Sequence, residues 1–201
     1  LNSNSALYQV DTSVSPYEFD FLSWDTGVDA LNFNALGFNF VDGFIYALNE
    51  ENDLLRFEAA KNYTASSAFF LNFRRWVNLG KVEGIEEGKL FNRGGFDLEG
   101  NYYVTNTADS DRLYTIDVKT QTSSYISIMA DANNPEILKP DGTPFTKFTS
   151  ADMSFNKQDG LLYGATGNIL FKLDPKTGIW SMTLLEFNYS GVDTEIIDVE
   201  I

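Results

Sequence analysis

Phe96-Asp97-Leu98-Glu99-Gly100-Asn101-Tyr102-Tyr103 and Phe155-Asn156-Lys157-Gln158-Asp159-Gly160-Leu161-Leu162-Tyr163 are two copies of one phrase. Phe38-Asn39, Asp42-Gly43 and Tyr46 make a third. After each comes a short apolar strand ending in an acid: Leu54-Leu55-Arg56-Phe57-Glu58, Leu113-Tyr114-Thr115-Ile116-Asp117 and Leu170-Phe171-Lys172-Leu173-Asp174. A fourth copy of that strand, Leu7-Tyr8-Gln9-Val10-Asp11, has no such phrase before it. The glycines at 43, 100 and 160 lie 57 and 60 residues apart. Self-similarity at such a period marks a repeat architecture, and one period is long enough for four strands.

The apolar clusters alternate over four to eight residues, are rich in Phe, Tyr, Ile and Val, and are bounded by Gly, Asn and Asp, which is strand grammar. Gly43, Gly100 and Gly160 fall where a tight hairpin asks for a left-handed residue. Asp174-Pro175-Lys176-Thr177-Gly178 is a second kind of turn, and Val118-Lys119-Thr120-Gln121-Thr122 holds the same place one unit earlier without the glycine. Outer strands then follow at 124–128 and 180–184. Four consecutive antiparallel strands, repeated, are the blade of a β-propeller. The expected fold is therefore all-β, a small propeller of about four blades of four antiparallel strands in a single domain, 1–201.

The repeat units run approximately over 35–90, 91–150 and 151–187, with the remaining blade assembled from 1–30 and 188–201. The N-terminal part offers two outer strands, 7–11 and 17–24, and 194–201 offers one more. Either that last strand joins the N-terminal pair and closes the ring by shared strands, or the chain is a slice of a larger ring. Two insertions carry the surplus length. One, 59–90, holds Phe69-Phe70-Leu71-Asn72-Phe73-Arg74-Arg75-Trp76, with a short helix expected within 65–76. The other, 129–150, holds Pro135, Pro140, Pro144 and a Pro-Asp-Gly turn.

The recurring aromatics, Phe38, Phe96 and Phe155 with Tyr46, Tyr103 and Tyr163, are expected to fill the wedge between neighbouring blades. Asp11, Glu58, Asp117 and Asp174 are expected to accept backbone N–H groups of the turn that follows each third strand. Gly94-Gly95-Phe96-Asp97-Leu98-Glu99-Gly100-Asn101-Tyr102-Tyr103-Val104 and the stretch from Ala151 to Gly164 resemble a signature of propeller-like domains in bacterial surface proteins, a family known as a domain of unknown function. The resemblance spans roughly 35–180. It implies a propeller, an extracellular setting within large adhesin-like proteins, and a binding or spacing role. It transfers no catalytic residue.

Composition narrows the chemistry. The 29 acids against 14 bases leave a formal charge of −15, which repels phosphate backbones and argues against a nucleic-acid partner. There is no cysteine and no histidine. Disulfides, thiolate metal sites, cysteine nucleophiles and His-dependent triads are thereby excluded. No apolar run approaches the roughly 20 residues of a membrane helix, so no membrane insertion is expected. No leader opens the sequence, which is read as mature, internal to a larger multidomain protein, or cytosolic.

Three sets of residues are candidates for chemistry. Asn106, Asp109 and Asp111 alternate oxygen ligands along one loop, as calcium requires, and read equally as a solvated polar turn. Arg74, Arg75 and Trp76 combine residue types favoured in binding hot spots, or snorkel over an insertion's small core. Asp97, Glu99 and Asp152 are loop carboxylates; glycosidase chemistry would need two of them about 5 to 9.5 Å apart across a cleft. The expected function is a non-enzymatic extracellular binding or adhesion module, recognising a glycan or protein through loops on one ring face, with the insertions at 59–90 and 129–150 facing the ligand. No cofactor is required, though calcium fits the composition. The rivals are a propeller enzyme of glycoside hydrolase, lyase or lactonase type using axial carboxylates, and a structural spacer in a large adhesin.

Overall fold

A computed structural model describes residues 6–24, 32–58, 75–106, 111–134, 137–139 and 142–185. Among these residues there is no helix, and fifteen strands fall into four sheets. The N-terminal sheet is a hairpin of β1 (Ala6–Asp11) and β2 (Glu18–Trp24). The next is a meander of β3 (Phe33–Asn39), β4 (Phe44–Asn49), β5 (Asp53–Glu58) and β6 (Arg75–Lys81). A second meander contains β7 (Phe91–Phe96), β8 (Tyr102–Asn106), β9 (Arg112–Asp117) and β10 (Thr122–Ser127). The third adds β11 (Met129–Ala130) to β12 (Ser154–Asn156), β13 (Leu161–Thr166), β14 (Ile169–Leu173) and β15 (Ile179–Leu184), in the order β11-β15-β14-β13-β12.

The all-β class and the antiparallel four-stranded repeat are as the sequence predicts. The described residues form three full meanders and a hairpin, and none of the sheets closes on itself. The first strands of the meanders lie side by side. A Cβ placed on Gly94 of β7 would stand 2.0 Å from the Ala35 carbonyl oxygen of β3, so only glycine admits the two backbones at this distance. Tyr102 donates its hydroxyl to the same Ala35 carbonyl. On the other side, a Cβ on Gly95 would meet the Met153 carbonyl oxygen, ahead of β12, at 3.4 Å.

β8 is buried along its whole length, and its two faces feed different cores. Tyr102 and Val104 join Tyr46, Leu48 and Leu54 of the first meander. Tyr103 joins Leu162, Phe171 and Trp180 of the third. A strand covered on both sides reads as continuously apolar, which is why Tyr102-Tyr103-Val104 lacks a polar face. Each fully buried aromatic or aliphatic side chain contributes roughly 1.5–3 kcal/mol.

The expected wedge-filling by recurring Phe holds for Phe96, which stacks on Tyr102 at 4.5 Å between centroids and meets Tyr46 at 5.4 Å. Phe155 is half-buried against the third core. Phe38 departs from the expectation: it is 46% exposed and meets only Phe40 edge-on, because its side of β3 has no neighbouring sheet among the described residues.

The recurring tyrosines have a second task. Tyr46 donates to Asp42 at 2.8 Å, Tyr103 to Asp97 at 2.9 Å and Tyr163 to Asp159 at 2.5 Å, each across its own hairpin. The first and third hairpins use the acid just before the glycine. The second is one residue shorter, so Glu99 stands in that place and Asp97 takes over, bonding Tyr103, the Glu99 and Asn101 amides and the Asn101 side chain. The third-strand acids behave as predicted at three sites: Asp11 accepts from the Ser13 amide, Asp117 from Lys119 and Asp174 from Lys176, all at 2.8 Å. Glu58 pairs with Arg56, and the turn that follows it lies outside the described residues. Gln121 adopts φ 57° where Gly178 has φ 73°, so the unit without the glycine still uses the left-handed turn.

Sheet edges are covered by a repeated device. The segment leaving β6 bridges in parallel from Glu83 to Thr122 of β10, and the segment leaving β10 forms β11, parallel to β15. Each connection thus caps the outermost strand of the following sheet, the edge most open to unwanted pairing. The insertion read at 59–90 contains the fourth strand of its own meander, β6, and Arg75 and Trp76 lie in it; the helix expected within 65–76 is corrected to a strand at those two residues, the others lying outside the described residues. Trp76 packs between Phe33 and Phe57, whose wedge favours an extended, flat-lying aromatic.

Gly94→Ala is expected to lose at least ~3 kcal/mol in urea unfolding, since the methyl meets backbone that cannot rotate away. Gly43→Ala, at φ 75° with open space around it, is expected to lose only about 1–2 kcal/mol. Burial, and then the bond to Asp42, push the Tyr46 phenol up to about 12. Because the folded value exceeds the unfolded one, this contribution is complete below about pH 10 and is lost as pH rises towards 12. Alkaline unfolding followed at several pH values should show that loss, and Tyr46→Phe should flatten it.

Candidate functional site

Both ends of the 129–150 insertion are tied to the third meander. At its start, the Asn134 amide side chain donates to the Trp180 carbonyl at 3.0 Å and accepts from the Met182 amide at 3.0 Å. At its end, Phe148 is fully buried and packs on Phe171 at 5.5 Å, with Phe145 on the same ring at 6.0 Å. Between the ties, Leu138 bridges Pro144, the Lys139 amide donates to the Thr143 carbonyl at 2.7 Å, and the Gly142 amide donates back to Lys139 at 2.9 Å. Gly142, at φ 81°, supplies the turn that the Pro-Asp-Gly triplet predicts.

The described residues of this short arch and the β13–β14 turn border a half-open cavity of about 630 Å³. Ile137, Leu138, Phe145, Ile169 and Leu184 give it apolar walls, while Lys139, Thr149, Thr166 and Asn168 supply polar groups. A mostly apolar concavity of this size with a few placed polar groups is the usual form of a binding site. The Lys139 ammonium stands 5.7 Å from the Phe145 ring centroid. Thr149 Oγ1 is buried with no hydrogen-bond partner.

Behind residues 148–150 lies the seam with the second meander, and there Arg93 is completely buried. Its Nε donates to the Ser150 carbonyl at 2.6 Å and Nη1 to the Asn106 carbonyl at 2.9 Å. Nη2 has no partner. Burial lowers the guanidinium to about 10, partly offset by the charge of Asp152, so it remains a cation at neutral pH. Asp152 itself accepts from the Met153 amide at 2.8 Å and the Gly94 amide at 3.4 Å. Its side chain reaches solvent, yet the protein around it raises its carboxyl above the usual carboxylate range.

Of the residues singled out in the sequence, Asn106 is buried at the end of β8 and Asp111 is exposed at the next turn, while Asp109 lies outside the described residues. Among the described residues no three acids group as a metal site would require. Arg74 also lies outside the described residues; Arg75 begins β6 and Trp76 packs into the first core. Asp97 is committed to its hairpin through both oxygens. The cavity residues escaped single-residue reading because Ile, Leu and Thr carry no motif; five of them lie in the 129–150 insertion and the others on β13, β14, β15 and the β13–β14 turn.

Comparison with known proteins agrees with the repeat. The pattern of a family described as a repeat of unknown function, DUF6923, matches residues 2–192. The chain belongs to that family. No curated protein matches it in sequence. Among solved structures it is similar to a protein of unknown function from Bacteroides thetaiotaomicron VPI-5482, at 12% identity and a TM-score of 0.51, covering 85% of this chain and 39% of that one. It is more distantly similar to a glutaminyl cyclase from Myxococcus xanthus, at 11% identity and a TM-score of 0.47, covering 85% of this chain and 57% of that one. The first likeness bears on the fold alone, and the chain spans well under two thirds of either neighbour's length.

Asn134→Ala removes a donor and an acceptor at once, leaving the Met182 amide unpaired while the Trp180 carbonyl keeps the Asp131 amide at 2.8 Å. It is expected to cost about 1–3 kcal/mol. Hydrogen exchange at the Met182 amide should accelerate if the insertion is anchored there, and stay at the parent rate if it is not.

Proposed function

We propose that this DUF6923 repeat protein is a non-enzymatic, extracellular binding module of propeller type, which holds a protein ligand by inserting one of its apolar side chains beneath the 129–150 arch. The observation that carries the reading is the cavity of about 630 Å³, walled by Ile137, Leu138, Phe145, Ile169 and Leu184 on a rigid sheet. Walls of four aliphatic side chains and one ring suit a peptide side chain better than a sugar, which needs a dense set of hydrogen-bonding groups. Loops carried on a rigid scaffold are where recognition usually resides.

Three observations support the propeller. The first strands of successive meanders abut, each connection caps the next sheet's outer edge, and β1–β2 corresponds to the third and fourth strands of a further unit. In that ring the N-terminal hairpin belongs to a fourth blade. The extracellular setting follows from the family resemblance of the hairpin motifs and suits a cysteine-free acidic chain. The non-enzymatic reading is supported by the commitment of Asp97 to its own turn.

Panning two random peptide libraries displayed on phage, one of internal peptides and one of peptides with free C-termini, against the purified protein tests the reading. Selected peptides should share one apolar anchor, and their affinity should fall by roughly tenfold or more in Leu138→Asp, which puts a charge on an exposed part of the wall. Peptides that bind Leu138→Asp as well as the parent protein, or no enrichment from either library, would overturn it.

A further inference from the structure

The cavity's charge runs against that of the molecule. The protein carries −15, yet among the described residues no carboxylate lines the cavity, and Lys139 is its one charged lining side chain. The ammonium is held near the Phe145 ring by a cation–π contact, which leaves its N–H groups available to an acceptor. No ion pair engages it among the described residues.

A second positive charge backs the same wall. Arg93 is buried with two nitrogens on backbone carbonyls, a third without a partner, and no carboxylate at ion-pair distance. A buried charge that Asp152 only partly offsets is felt further in a low-dielectric interior than one in water. Its Nε contact is the Ser150 carbonyl, next to Thr149, a residue of the cavity wall whose buried hydroxyl has no partner; the Ser150 hydroxyl has none either. Positive potential, a free ammonium and an unsatisfied hydroxyl thus meet where the walls are otherwise aliphatic. Donors without acceptors in such a place call for an anion that brings apolar bulk with it.

We infer that the cavity selects a carboxylate attached to an apolar body, as presented by a peptide that ends on an apolar residue with a free C-terminus. The side chain fills the aliphatic walls, Lys139 Nζ pairs with the carboxylate, and the Thr149 hydroxyl donates to it. This rests on the protein-binding reading above and adds the charge and the end of the chain that is bound.

The test is a titration of ¹⁵N-labelled protein with acetyl-Phe-Leu as the free acid, the same dipeptide as its carboxamide, and decanoate. The acid should bind roughly tenfold or more tighter than the amide, moving the amides of Thr166 to Ile169, with the preference shrinking as salt rises. In Lys139→Gln the acid should lose that preference while the amide binds as before. Equal binding of acid and amide to the parent protein, or a preference unchanged in Lys139→Gln, would overturn the inference and leave the apolar pocket standing. Decanoate binding there without the dipeptide acid would keep the carboxylate and overturn the peptide as its source. Silence from all three probes would overturn this inference and count against the binding reading itself.

Discussion

The contact on which the rest of the structure depends is the approach of β7 to β3 at Gly94 and Ala35. Two backbones that close leave no room for a side chain, and the Tyr102 hydroxyl and the Asp152 carboxylate satisfy the peptide groups caught there. Aromatic rings pack in the core that the first two meanders share: Phe96 against Tyr102 and Tyr46, and Phe91 against Tyr114. The burial of β8 on both faces is the same geometry seen from the middle sheet.

Along each unit, a local polar network sets the hairpins while tertiary burial sets their spacing. The tyrosine that fills the wedge also ties its hydroxyl to the hairpin carboxylate, so one residue couples turn geometry to sheet packing. The second unit keeps that coupling after losing a residue, because Asp97 with Asn101 rebuilds from new positions what Asn39 with Asp42 build in the first. The arch over the third meander is one of the two insertions in the repeat, and it borders the cavity.

Much was legible beforehand because it is local. A glycine after an acid, an Asp two residues before an amide it can accept, and apolar residues alternating between them are interactions closed within a few positions. The left-handed turn at Gln121 was legible by its place in the repeat even without its glycine. β6 was hidden because its apolar residues follow a run with no strict alternation, and only pairing with β5 reveals its register.

The sequence by itself determined the repeat, the all-β class, the hairpin turns and the absence of any cysteine or histidine chemistry, since each depends on residue type and short spacing. Tertiary structure alone decided which faces of β8 serve which core, that Arg93 is buried without a carboxylate partner, and that Lys139 and Thr149 share one cavity with Ile169 and Leu184. Those facts join residues tens of positions apart, and no local preference encodes which distant backbone will stand 2.0 Å from where a glycine's missing side chain would be.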